Sequence, residues 1–413
     1  MHNTKSTAEA QFTVIPQGSI TTPKGFRAGG LHCGLKKTNR YDLGVIVCDL
    51  PAAAAGVYTL NVFQAAPLHV TRSSIAVEGK LQAMVVNSGN ANACTGKQGE
   101  ADALEMRSAM ANALNLPDHY VGVTSTGVIG EPLPMNKLLS GIEQLPAKVH
   151  LNGGEDFCQA ILTTDLVQKM VCVSLTVDGK PVHIAGAAKG SGMIHPNMAT
   201  MLGFMTTDAQ IETLELQSLL HQVTDSSFNM ITVDGDTSTN DMVVVMASGL
   251  ADHNRLVPSH PDWAAYEAAF QYVAEYLAKA IARDGEGATK LIEVNVSGAV
   301  TDEAARIIAK TVIGSSLVKS AAFGADANWG RIIAAVGRAG QPVDPDTVDI
   351  LMGDIRVLEQ SRPIKFDEDQ ALEYLKGELI QFHIFLNMGS GKATGWGCDL
   401  TYEYVRINAA YRT

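Results

Sequence analysis

Between residues 42 and 351, short apolar runs of strand length alternate with stretches of helical spacing. This alternation constrains the fold more than any other feature, because sheets and helices each bury one face and must cover one another. Residues 42–49 and 81–86 read as buried strands, and the second runs into a polar, turn-rich loop at 87–92. Residues 102–116 have helical spacing and stop before Pro117, and 120–124 form a short strand ending in Ser125-Thr126-Gly127. Residues 169–177 and 182–185 flank Asp178-Gly179, a pair that favours a hairpin. Residues 214–226 read as a helix and 242–247 as a strand. Over 262–283, Trp263, Tyr266, Phe270, Val273, Leu277 and Ile281 recur every three or four residues, making one apolar stripe on a helix. Asp262 is placed to cap that helix and Gly285 lies just past its end. Strands follow at 291–296 and 348–351, a helix at 369–381, and an alternating, strand-like segment at 399–408. The expected class is α/β, layered sheets with covering helices.

Composition narrows the partners. The chain has 413 residues, 46% hydrophobic and 18% charged, enough apolar material for a large core and too much for disorder. Its net charge of −12 argues against a nucleic-acid partner. No run approaches the roughly 18 apolar residues that span a bilayer, so no membrane role is expected. The first 19 residues lack an apolar signal core and an Arg-rich transit pattern, and a short frayed arm is expected there. Six cysteines, Cys33, Cys48, Cys94, Cys158, Cys172 and Cys398, are scattered without a C-x-x-C pair. That pattern implies reduced, buried thiols and a cytoplasmic location.

The chemistry concentrates at Lys189-Gly190-Ser191-Gly192-Met193-Ile194-His195-Pro196-Asn197-Met198-Ala199-Thr200, which opens directly onto the apolar run 201–205. A small residue before a threonine at the mouth of a strand suits a self-cleaving N-terminal nucleophile. Cleavage of the Ala199–Thr200 bond would give Thr200 a free α-amine beside its own hydroxyl, and such an amine can serve as the hydroxyl's base. The unperturbed α-amine pKa of roughly 7.7–8.0 leaves a useful neutral fraction at working pH. An ordinary turn before a strand is the alternative. Thr126-Gly127 suits an oxyanion hole, since a glycine lets a backbone N–H approach a reacting centre, or is a plain strand-to-turn glycine. Lys189 is either a receptor for a substrate carboxylate or a solvated lysine. Glu286, between Gly285 and Gly287, either receives an ammonium or points into water. Thr163-Thr164-Asp165 either caps a turn or binds ligand. No P-loop or zinc spacing occurs, and the stretch from Asp234 has Thr239 where a calcium loop needs its glycine and Val245 where it needs its final acid. No metal or cofactor site is expected.

In order along the chain come Gly25-Phe26-Arg27-Ala28-Gly29-Gly30, Cys48-Asp49, Pro51 to Val57 and Val86 to Gly96. Then follow Ser125 to Gly130, Thr163-Thr164-Asp165, Lys189 to Leu202, Val233 to Asp241, Asn328-Trp329-Gly330-Arg331 and Trp396 to Thr401. Together these stretches resemble the ornithine acetyltransferase (glutamate N-acetyltransferase) family of arginine biosynthesis. The resemblance implies an α/β fold like that of self-processing aminopeptidases. It also implies cleavage at Ala199–Thr200 into an α chain, 1–199, and a β chain, 200–413, that build one catalytic unit, with two of each chain in the assembly. By position it implies Thr200 as nucleophile and Thr126 and Gly127 as the oxyanion hole. Thr163, Lys189, Thr200, Glu286, Asn408 and Thr413 would contact the substrates, acetylornithine and glutamate. Asn61-Val62-Phe63-Gln64 lacks the basic residue expected after the Asn, and Leu166-Val167-Gln168 replaces a Thr-x-Pro. Acetyl-CoA as a second acetyl donor stays open. A self-processing aminopeptidase or amidase and a noncatalytic amino-acid-binding protein are the alternative readings.

Overall fold

The computed structural model describes residues 12–195 and 201–410. Ala199 and Thr200, the expected cleavage site, and Thr413 lie outside these. Two sheets organise the described residues. The first holds β1 (Phe12–Val14), β2 (Phe26–Leu31), β3 (Leu43–Tyr58), β4 (Lys80–Asn90), β5 (Val121–Val128), β6 (Lys169–Val177), β7 (Lys180–Lys189), β8 (Leu202–Thr207) and β10 (Met242–Ala247). Its order is β1-β6-β7-β8-β10-β3-β4-β5, with β2 also paired to β3. The second holds β9 (Ile231–Thr232), β11 (Leu291–Ala299), β12 (Asp349–Met352), β13 (Ile355–Glu359), β14 (Arg362–Pro363), β15 (Leu379–Phe385) and β16 (Gly391–Cys398), in the order β14-β13-β12-β15-β11-β16-β9. The layered α/β expectation is met.

The helix Trp263–Arg283 joins the two sheets, packing on β6 and β7 of one and on β16 of the other. Its predicted stripe does this work: Tyr266, Phe270, Val273, Leu277 and Ile281 are all fully buried in the largest core cluster. Each such side chain contributes roughly 1.5–3 kcal/mol by leaving water. Asp262 does not cap this helix with its side chain. Its carboxylate instead accepts the Asp178 N–H at 2.9 Å, tying the helix start to the β6–β7 turn. There Asp178 and Gly179 have φ of 50° and 73°, the two positive values that a tight type I′ hairpin requires.

β8 lies in the middle of the first sheet. It runs antiparallel to β7, with Lys189 opposite Leu202, and parallel to β10, with Met242 opposite Leu202. All six of its residues are buried. The two strands that follow residue 200, β8 and β10, therefore lie between β7 and β3, which precede it, within one sheet.

Several sequence expectations change. β4 continues to Asn90 through the stretch expected to be a loop, because its polar side chains find partners inside. Ser88 Oγ donates to the Ala160 carbonyl at 2.5 Å, and Asn87 accepts from Ser125 Oγ at 2.6 Å. The helix expected over 369–381 spans Glu368–Leu375, and after Gly377 the chain becomes β15. The last segment is a helix, Tyr402–Ala409, rather than a strand. It has no buried residue, so no apolar stripe marks its helical period. Residues 12–14 are not a frayed arm but pair with β6. All six cysteines are free thiols, yet Cys94 is exposed and Cys33 half-buried, against the expectation that all are buried. Among the described residues no helix is long and apolar enough to cross a membrane.

Candidate active site

Folding brings Thr126, Gly127, Thr163, Lys189, Glu286 and Asn408 to the wall of one cavity of about 290 Å³. Met201 and Leu202, which follow Thr200 in the chain, line the same cavity, as do Gly190, Gly192 and Ile194 from the segment before it.

Thr126 and Gly127 stand near the end of β5, beside the parallel strand β4, where Ser88 pairs with Thr126 and Gly89 with Gly127. The approach there requires glycine. A Cβ on residue 127 would lie 2.3 Å from the Gly89 carbonyl carbon and 2.5 Å from the Asn90 nitrogen, and φ is +139°. The Asn240 amide fixes this strand end by donating to the carbonyls of Ser125 at 2.8 Å and Ala91 at 2.6 Å.

Lys189 ends β7 and is 8% exposed, so the solvated-lysine alternative falls. Its Nζ lies 3.9 Å from Asp165 Oδ2. Burial lowers the Lys189 pKa from its ordinary value, and the Asp165 charge opposes that. Burial alone would raise the Asp165 pKa, but Lys189 and then Lys169 outweigh it and hold the carboxyl well below the usual range. Asp165 also accepts the N–H of Gly190 at 2.7 Å and of Thr163 at 2.9 Å. It therefore locks two walls of the cavity together, and the Thr-Thr-Asp stretch both turns the chain and borders the site.

Beneath this lies an ionic network that the sequence reading missed. Lys169 is fully enclosed and reaches Asp165 at 2.8 Å and Asp284 at 2.6 Å. Asp284 in turn accepts the Leu166 N–H at 3.1 Å. Lys36, also missed, donates from Nζ to the Leu162 carbonyl at 2.7 Å, just behind Thr163. The only sequence hint of the network was the four-residue spacing of Asp165 and Lys169. Lys169→Ala is expected to destabilise the protein by about 3–5 kcal/mol, because Asp284 would lose its buried cation and Asp165 would keep only Lys189, at 3.9 Å. Denaturant unfolding checks this, and an unchanged midpoint would refute the network's role.

Glu286 is 7% exposed, so it does not simply point into water. Its N–H donates to the Ser191 carbonyl at 2.9 Å, and its Oε2 accepts from Asn408 Nδ2 at 2.8 Å. A Cβ on Gly192 would lie 2.4 Å from the Glu286 carboxyl carbon, so glycine at 192 leaves room for that carboxylate. Asn240 and Asp241, both buried, also line the cavity; the sequence reading quoted their stretch but gave neither a role in the site. The wall thus offers a cation at Lys189 and an anion at Glu286, with hydroxyl and amide groups between. That arrangement suits a zwitterionic amino acid.

Apart from this cavity, Asp178, His260 and Asp262 bring three ligand-type atoms within 4.8 Å. These groups are engaged with the surrounding turn. Asp178 Oδ2 accepts from Asn254 N at 3.0 Å and Nδ2 at 2.8 Å, and His260 Nδ1 receives the Asp262 N–H at 3.1 Å.

The ArgJ family model matches residues 27–413. The arginine biosynthesis bifunctional protein ArgJ of Geobacillus kaustophilus is 58% identical over 413 residues, all of both chains. That of Halalkalibacterium halodurans is 59% identical over 400 residues, 97% of each chain. Among solved structures, ornithine acetyltransferase complexed with ornithine from Mycobacterium tuberculosis is 38% identical, with a TM-score of 0.43 over 46% of this chain and 100% of that one. On the family match across nearly its whole length and the identity to full-length relatives, this chain belongs to the ArgJ family.

Proposed function

We propose that the protein transfers an acetyl group from N2-acetyl-L-ornithine to L-glutamate through an acetyl-Thr200 intermediate, in arginine biosynthesis. The observation that carries this reading is the single cavity bordered by Thr126, Gly127, Thr163, Lys189, Glu286 and Asn408 together with Met201.

Maturation starts when Thr200 Oγ attacks the Ala199 carbonyl carbon. The peptide C–N bond breaks as the acyl group moves to oxygen and the nitrogen takes a proton. Water hydrolyses the ester, leaving a carboxylate on Ala199 and a free amine and hydroxyl on Thr200. The α chain is then 1–199 and the β chain 200–413. The pairing of β7 with β8 supports the two remaining one unit, because their strands share a sheet. In turnover the amine takes the Oγ proton as Oγ attacks the acetyl carbonyl. Thr126 and Gly127 stabilise the oxyanion. Ornithine leaves with a proton on its α-nitrogen, glutamate enters, and its amine takes the acetyl group. One covalent intermediate shared by two half-reactions gives ping-pong kinetics.

Lys189 holds the α-carboxylate common to both amino acids, and Glu286, held by Asn408, faces the ornithine side-chain ammonium. Thr163 and Thr413 complete the contacts. Two αβ units pair into a heterotetramer, and the enzyme works in the cytoplasm. The relatives' description as bifunctional supports acetyl-CoA as a second donor to the same Thr200. No resident cofactor takes part.

Acetylornithine consumption with and without glutamate tests the reading. Acetylglutamate formed one-for-one supports transfer, whereas free acetate released without glutamate would make the protein a hydrolase. Lys189→Ala is expected to raise KM for both amino acids at least tenfold, since a charged hydrogen bond contributes roughly 1.5–3 kcal/mol. Unchanged KM values would remove Lys189 from the carboxylate role.

A further inference from the structure

The Val233–Asp241 stretch carries an acid that the proposed chemistry does not use. Asp234 lies beside the backbone that leads toward the Ala199–Thr200 bond. Its Oδ2 accepts the Met193 N–H at 2.7 Å and its Oδ1 accepts the Ile194 N–H at 2.9 Å. Met193 has φ of +55°, a region that residues other than glycine visit rarely. A carboxylate receiving two successive N–H groups suits that conformation. The neighbours of Asp234 complete the grip. Val233 N–H and Thr232 Oγ1 donate to the Ile194 carbonyl at 2.7 and 3.0 Å, and Thr237 Oγ1 donates to the His195 carbonyl at 2.7 Å. On the far side of the expected cut, the Met201 carbonyl accepts the Met242 N–H at 2.9 Å. The chain is thus anchored both before and after the bond to be broken.

Asp234 has a second connection. Its Oδ2 also accepts from Tyr404 Oη at 3.2 Å. Tyr404 belongs to the helix Tyr402–Ala409, which has no buried residue of its own. That helix carries Asn408, whose amide donates to Glu286 at 2.8 Å. A helix with so little core depends on polar contacts for its position, and the Tyr404 hydroxyl is one of them.

We infer that Asp234 is a positioning residue with two outputs: it holds the 193–195 backbone for self-cleavage and, through Tyr404, sets the helix that presents Asn408 to Glu286. This rests on the self-cleaving transferase reading above. The geometry separates the outputs, because the N–H bonds act on the segment before the cut and the tyrosine bond acts on the substrate wall.

The test uses full-length wild type and the variants Asp234→Ala, Asp234→Asn and Tyr404→Phe. Cleavage is followed over time by denaturing electrophoresis, and acetyl transfer is measured per cleaved chain. Asp234→Ala is expected to slow cleavage roughly tenfold or more, the loss expected for hydrogen bonds to a charged group. Asp234→Asn keeps the side chain's shape and one acceptor oxygen but turns an NH₂ toward an N–H donor. It is expected to cut more slowly than wild type, and it decides the question if the alanine variant fails to fold. Tyr404→Phe is expected to cut at the wild-type rate and to raise KM for acetylornithine several-fold with little change in kcat. Wild-type cleavage rates in both folded Asp234 variants would overturn the first output. An unchanged KM in Tyr404→Phe would overturn the second. A wild-type chain that never cuts would instead overturn the underlying reading, and this inference with it.

Discussion

Thr200→Ala is expected to give a single uncut chain of 413 residues with no measurable acetyl transfer. Both losses follow from one atom. In the proposed mechanism, the Oγ that attacks the Ala199 carbonyl in maturation is the one that carries the acetyl group in turnover. Removing a nucleophile of this kind costs roughly ten-thousand-fold or more in kcat. The fold should survive, because β8 begins at Leu202 and pairs with β7 and β10 through residues 202–207. The variant should therefore purify as a folded precursor. A Thr200→Ala protein that is still cut, or still transfers acetyl groups, would end the proposal. Thr200→Ser should retain some of both activities, since serine keeps the hydroxyl and the α-amine.

Gly127→Ala has the next largest expected effect, and it acts on fold and chemistry together. The added Cβ would meet the Gly89 carbonyl carbon at 2.3 Å and the Asn90 nitrogen at 2.5 Å. These are backbone atoms of a paired strand, so they cannot swing aside as a side-chain tip would. The φ of +139° adds strain of its own for alanine. Overpacking and strain together should cost roughly 2–5 kcal/mol of stability. In the proposed mechanism, any separation of β4 from β5 also displaces the donors assigned to the oxyanion, and the loss of one such donor lowers kcat roughly a hundred- to a thousand-fold. Denaturant unfolding and steady-state kinetics on the same preparation measure both effects. Wild-type stability with wild-type kcat would show that the close approach at Gly127 is irrelevant.

The parts of this architecture that local pattern controls were legible in the sequence. β10 was bounded correctly by its apolar run, Met242–Ala247. The helix Trp263–Arg283 was visible because its buried stripe has a strong period. The β6–β7 hairpin was visible because Asp-Gly meets the dihedral demand of the turn. The final helix was not, because it has no buried face to imprint a period. The length of β4 was also hidden, since Asn87 and Ser88 resemble loop residues until Ser125 and Ala160 supply their partners. The site shows the same division. The six described residues that the family resemblance marked do converge on one cavity, with Lys189 and Glu286 both on its wall. What sequence alone could not give is the support beneath them. Lys169 and Asp284 lie 115 positions apart, and nothing local announces that they form one buried ion pair.

In the proposed cycle, Thr200 becomes an N-terminal residue before it becomes a catalyst. N-terminal sequencing of the purified protein's second band on a denaturing gel tests this most directly. Two bands are expected, with the second beginning Thr-Met-Leu-Gly-Phe. A fully active preparation consisting of one intact chain, or a second band beginning at any other residue, would contradict it.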